Sequence, residues 1–188
     1  MNNIDYFKII HKYIPQDSEI YSPYVTHAIL VTAKALNVAK RLGLSSAQQR
    51  FIEESAMLHD IGIVKVGELS DPPEKNLPYI CHALTGREIL EQEGLPSHAR
   101  VAERHILVGL SKEEIIEHQF PLPHRDLIPE SIEEKIVAWA DLFYSKHSGR
   151  LWEEYSVAEV QLKLKRFGER QERVFQEWLG MFGDAASV

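Results

Sequence analysis

Cysteine is nearly missing from this chain of 188 residues, and Cys81 is the only one. A disulfide framework within the chain is therefore impossible, and a reducing, cytoplasmic setting is the simpler expectation. Long apolar runs are missing too. None approaches the ~18 residues of a membrane-spanning helix. The opening Met-Asn-Asn-Ile-Asp-Tyr has no basic region followed by an apolar one, so no secretion signal is expected. Positive charge is in deficit, with a formal net charge of -7. That argues against duplex nucleic acid or an anionic membrane as partner, because both rely on clustered Lys and Arg. It leaves room for a small phosphorylated ligand, which needs only a few local cations. Strand-like alternation, a glycine-rich phosphate loop and internal repeats are also lacking.

What is present is helical punctuation. Apolar residues make up 44% of the chain, enough for a core. A short helix is expected over 3–14, ahead of Pro15. Ser22-Pro23 reads as an N-cap with proline at the first helical position, opening a helix through Leu42 that Gly43 closes. Capping boxes at Ser46/Gln49, Ser111/Glu114, Ser131/Glu134 and Ser156/Glu159 open four more helices. The first of these runs over about 47–60 and the last over about 157–182; further helices are expected over 78–93 and 97–108. Residues 63–78, rich in Gly and Pro, read as an exposed loop beside the suspected site, and 183–188 as a frayed end. The fold class is all-α, a bundle of about seven or eight helices in one domain over 1–188, with its core at about 20–147. The long C-terminal helix packs on that core and is also a surface on which a second copy can dock.

Six polar residues fall on the inward faces of these helices: His27, His59, Asp60, His82, His105 and Asp141. A buried imidazole or carboxylate is costly unless paired or bound to metal. His59-Asp60 alone reads equally as a hydrogen-bonded pair, and His27 alone as a packed core residue. Asp141 lies inside the apolar run 136–144, where an unpaired Asp is out of place. Inward side chains from facing helices are how bundles build metal sites. Imidazoles with carboxylates suit Fe, Mn, Co, Ni or Zn, and Mg less well. Cys81 beside His82 has no basic partner and reads as a buried structural thiol.

The order His27, then His59-Asp60, then Asp141 resembles the H…HD…D pattern of the HD-domain phosphohydrolases, and His59-Asp60-Ile61-Gly62 spells the signature of the HDIG subgroup. The likeness covers roughly residues 20–147. It implies that His27, His59, Asp60 and Asp141 hold one divalent ion, and that His82 and His105 complete a second site with Asp60 as bridge. The implied reaction is hydrolysis of a nucleotide or other small phosphoester, mono- or diester, by metal-activated water, with Asp60, His82 and His105 at the centre of the chemistry. Ile63 stands where many HDIG proteins carry a basic residue, and Lys65 is the substitute candidate. Lys65, Arg104, Arg125 and Lys146 are the candidate substrate-binding cations; each otherwise reads as a surface charge. Two other functions fit the resemblance: a mixed-valent di-iron oxygenase, which shares the same ligand set, and a non-catalytic signalling module, which as a rule lacks some ligands.

Overall fold

The computed structural model describes residues 4–66, 77–146 and 148–183. The middle of the loop expected at 63–78, His147 and the tail 184–188 lie outside the described residues. Among the described residues the chain is all-α, with nine α-helices, short 3-10 turns and one isolated bridge between Leu110 and Leu127.

Helix α1 (Tyr6–Tyr13) leads to α2 (Tyr21–Arg41), the longest. Tyr24, Ala28, Val31, Ala35 and Val38 of α2 are buried at helical spacing and form one apolar stripe. α2 starts one residue before the expected Ser22 cap. Pro23 sits in its first turn, where a missing N–H forfeits no intrahelical bond. Helix α3 (Ser46–Leu58) opens on a capping box of Ser45 and Gln48, one residue earlier than the expected Ser46/Gln49 pair. Gln49 instead donates to the Leu44 carbonyl at 2.7 Å. α3 stops at Leu58, and Ile61–Lys65 forms a 3-10 turn with Ile61 and Ile63 buried, where exposed loop was expected from residue 63.

The helix expected over 78–93 divides into a 3-10 turn, Tyr79–Cys81, and α4 (His82–Gln92). α5 (Pro96–Arg104) ends short of the expected 108: His105 caps it and Leu107 adopts φ 56°. That left-handed residue is held from outside. Gln171, fully buried, accepts from Val108 N at 3.2 Å and donates to Gly109 O at 2.8 Å. After α6 (Lys112–Glu117), α7 (Ile132–Asp141) carries only half of its expected box. Ser131 accepts from Glu134 N, but the Glu134 carboxylate takes Glu130 N and Arg104 instead. The expected last helix is two, α8 (Val157–Leu164) and α9 (Glu169–Phe182). Gly168 at φ 116° separates them, a conformation that side-chain-bearing residues avoid.

Two packing features position the site. Trp139 of α7 stacks on Phe175 of α9 with centroids 5.2 Å apart. Asp141, two residues on, therefore points the opposite way, towards His27 of α2. At Gly62 the Ile61–Lys65 turn meets α4 backbone to backbone. A Cβ there would lie 2.0 Å from the His82 carbonyl oxygen and 2.3 Å from Gly86 N, so only glycine fits. Thr85 Oγ1 donates to the Gly62 carbonyl at 2.9 Å. This contact sets His82 beside Asp60.

Candidate metal centre

The six residues arrive from separate elements. His27 comes from the second turn of α2, His59 caps α3, and Asp60 follows it. His82 begins α4, His105 caps α5, and Asp141 ends α7. His27, His59 and Asp60 are fully buried, and His82 and His105 nearly so.

Three of the imidazoles are oriented by one device. His59 Nδ1 donates to Ala56 O at 2.7 Å, His82 Nδ1 to Tyr79 O at 2.6 Å, and His105 Nδ1 to Ala102 O at 2.8 Å. Each acceptor is three residues back, so the ring closes over a carbonyl at a helix end or turn that the helix leaves open. With the proton on Nδ1, each Nε2 is bare and presents a lone pair to the interior.

The bare nitrogens converge on Asp60. His82 Nε2 lies 3.2 Å from Asp60 Oδ1 and His105 Nε2 3.5 Å from it. His59 Nε2 lies 3.0 Å from Asp60 Oδ2, and His27 Nε2 3.2 Å from it. Asp141 Oδ1 stands 2.9 Å from His27 Nε2 and 3.4 Å from His59 Nε2. The nitrogens also face one another, at 3.0 Å for His82 and His105 and 3.3 Å for His27 and His59. Lone pairs so close, beside carboxylate oxygens, require positive charge between them. Apart from the ammonium of Lys146 at Oδ2, neither Asp60 oxygen has an aligned hydrogen-bond donor among the described residues. The atoms fall into two groups that can each hold an ion: His27, His59, Asp60 and Asp141, and Asp60, His82 and His105. Asp60 belongs to both, one oxygen to each. The donor set fits divalent transition-metal ions, with the Nδ1–H bonds fixing ligand orientation.

The electrostatics agree. Burial alone would push the His59 imidazolium down, but Asp60 and Asp141 beside it raise its pKa to about 10. His105, by contrast, is lowered by burial. Burial alone would raise the Asp60 carboxyl; the positive charge at His59 and Lys146 instead holds it well below the usual range. The pocket thus demands cationic charge, as protons or as metal.

Of the expected cations, Lys146 reaches the site: its Nζ lies 2.5 Å from Asp60 Oδ2. Arg104 is engaged by Glu130 at 3.0 Å and Glu134 at 3.2 Å, and Arg125 by Glu103. Lys65 ends the turn after Asp60. A cavity of about 750 Å³ opens on His82, His105, Asp141 and Lys146, and Lys65, Arg104 and Arg125 do not line it. Tyr79 was not among the expected site residues. Its carbonyl orients His82, its ring lies 4.6 Å from that imidazole, and it lines the cavity. The available signal is the repeated spacing of a ligand His and its carbonyl partner three residues earlier. Cys81 is buried with its thiol pushed up by burial, a packing residue as expected. His98, outside the cluster, is buried with Nε2 3.2 Å from Glu54.

The family described as HD domain matches residues 24–145, which span all six clustered residues. A tRNA (cytidine(56)-2'-O)-methyltransferase of Picrophilus torridus is 37% identical over 94 residues, 50% of this chain and 24% of that protein. One of the same name from Thermoplasma volcanium is 32% identical over 122 residues, 64% of this chain and 31% of that one. An uncharacterized protein of Methanocaldococcus jannaschii is 43% identical over 84 residues, 44% and 48% of the two chains. The chain thus spans from about a quarter to about half the length of these curated relatives. No solved structure matches it. With the family match covering most of the chain, and the residues of the H…HD…D order gathered around Asp60, the chain belongs to the HD-domain family.

Proposed function

We propose that this chain hydrolyses a small phosphoester, such as a nucleotide, with two divalent transition-metal ions held by its six ligands. His27, His59 and Asp141 would hold one ion and His82 and His105 the other, with Asp60 shared. The observation that carries this reading is the convergence of bare Nε2 atoms on both oxygens of Asp60, with each Nδ1 of His59, His82 and His105 already committed to a carbonyl. Ions bound there supply a water of lowered pKa and neutralise phosphoryl charge.

The chain's own residues do the rest. The Nδ1–H bonds orient the imidazoles so that each Nε2 faces the centre. Lys146, at the cavity mouth beside Asp60, is placed to take a phosphoryl oxygen and to compensate charge that builds up as the ester bond breaks. Tyr79 and Tyr144 wall the entrance and limit water around the reacting group. A volume of about 750 Å³ suits a nucleotide-sized ligand. The methyltransferase name of two relatives describes proteins of which this chain matches 24% and 31%, and the hydrolase reading does not draw on it.

The test is a phosphatase and phosphodiesterase screen on nucleotides after loading with Mn, Fe, Co, Ni or Zn. Phosphate or nucleotide release that follows metal loading, and is lost in Asp60→Ala, supports the proposal. Two irons with dioxygen consumption and no hydrolysis would replace it with the oxygenase reading.

A further inference from the structure

The family match ends at residue 145, yet the cavity does not. Tyr155, Lys163 and Phe167 line it from beyond that limit, facing the same space as His82, His105 and Asp141. Most of the lining, including His82, His105 and Asp141, belongs to the matched region; Lys146 just beyond it sits beside Asp60, and the C-terminal segment supplies the remaining wall.

That wall is anchored. Tyr155 N donates to Phe143 O at 2.8 Å, which ties its start to the end of α7. Val160 and Leu164 of α8 are buried on either side of Lys163. His118 Nε2 lies 3.3 Å from Phe167 O, and the His118 ring stacks on Phe120, another lining residue. Lys163 therefore projects from a fixed element.

Its charge is uncommitted. Lys34 pairs with Glu154, Arg150 with Glu153 and Glu159, and Arg170 with Glu114, while Lys163, like Lys165 and Arg166 after it, has no such pair among the described residues; of these three Lys163 alone lines the cavity. Lys146, the other cavity lysine, is held by Asp60. Among the described residues the only carboxylate lining the cavity is Asp141, itself one of the six clustered residues of the centre. In a chain of net charge -7, this cavity thus carries Lys146 beside Asp60, Lys163 from the C-terminal segment, and aromatic rings in its lining.

We propose that Lys163 determines specificity: it binds a second anionic group of a phosphoester whose flat or apolar body lies against Tyr155 and Phe167. This rests on the hydrolase reading for the reacting end of the ligand only; the selectivity of the C-terminal wall is a property of binding.

The full chain is titrated calorimetrically with adenosine 3',5'-bisphosphate and adenosine 5'-monophosphate, once in chelator and once after metal loading. In chelator no turnover interferes, and the bisphosphate is expected to bind about threefold to tenfold tighter, the range for one partly solvated charge contact. Lys163→Gln brings the ratio to about one, and Lys163→Glu inverts it. Lys163 is exposed, so these variants keep the fold, which far-UV circular dichroism checks. Lys165→Gln, two residues on and outside the cavity, leaves the preference intact. Equal affinities in the wild type, binding of neither nucleotide, or the same loss in Lys165→Gln would overturn the proposal. A preference that depends on Lys163 in a protein that, metal-loaded, releases phosphate from neither ligand upholds the proposal and rejects the hydrolase reading.

Discussion

Two buried carboxylates of this molecule are completed in opposite ways. Glu103, on α5, is surrounded by arginines: Arg87 Nη1 at 2.7 Å on one oxygen and Arg125 on the other. Asp60, equally buried, is surrounded by imidazoles whose Nε2 atoms are bare, with one lysine at the rim. Guanidinium is charged at any ordinary pH, so the protein itself finishes Glu103, which ties α5 to α4 and to the 119–130 connector. Imidazole is neutral or cationic by circumstance, and Asp60 remains unfinished until a proton or metal ion supplies the charge. The same physics makes one carboxylate a structural pin and leaves the other able to hold an ion.

The largest test of this contrast is Asp60→Ala. It removes the oxygens shared by both groups of ligands, and phosphoester hydrolysis is expected to fall by at least about 10³-fold, the scale of losing a metal nucleophile site. Colorimetric phosphate release measures it. Glu103→Gln, the matching change at the other carboxylate, leaves metal content intact.

Lys146→Met comes next. Its ammonium is beside Asp60 but is not one of the bare nitrogens. Metal content is expected to persist while kcat falls by about 10- to 100-fold, which steady-state kinetics with parallel metal analysis can show. A loss of metal in this variant would make Lys146 part of the centre's support and not of substrate handling.

For Glu103→Gln the expected effect is on stability. The carboxylate is buried, but its arginine partners are partly exposed, which discounts the usual cost of breaking a buried pair. About 1–3 kcal/mol is expected from urea unfolding.

The smallest effect is a pH slope. In chelator-treated protein Asp60 and Asp141, against the opposing effect of burial, raise the His59 pKa from the usual 6.5 to about 10. A raised pKa contributes stability that is complete below about pH 6.5 and fades as the pH rises through about 10. The melting temperature of chelated protein should therefore drop between pH 7 and 10. Metal-loaded protein should drop less, because an ion takes the proton's place.

That these six residues belong together was legible in the sequence because each is a polar residue in an apolar helical run, and because their order resembles a known pattern. Helix identity was legible from caps and apolar spacing, and helix ends were not. Ser45-Ser46 and Gln48-Gln49 offer two equivalent capping registers, and tertiary packing picks one. The end of α5 depends on Gln171, sixty-odd residues away, gripping the backbone at Val108 and Gly109. Arg104 and Arg125 looked available because their partners Glu134 and Glu103 lie 30 and 22 residues off in the chain. Lys146 was found by proximity to Asp141, and Lys163 was hidden in a run of surface charge. Close approach at Gly62 was invisible too, since nothing local marks that turn as the neighbour of α4.

The most direct measurement is metal stoichiometry of the full chain by mass spectrometry of the elements, after reconstitution and removal of loosely held ions. Two ions per chain are expected in the wild type, one in His82→Ala, and none in Asp60→Ala. A wild-type chain that retains no metal, or an Asp60→Ala chain that retains as much as the wild type, would contradict the account of Asp60 as a carboxylate completed by bound ions.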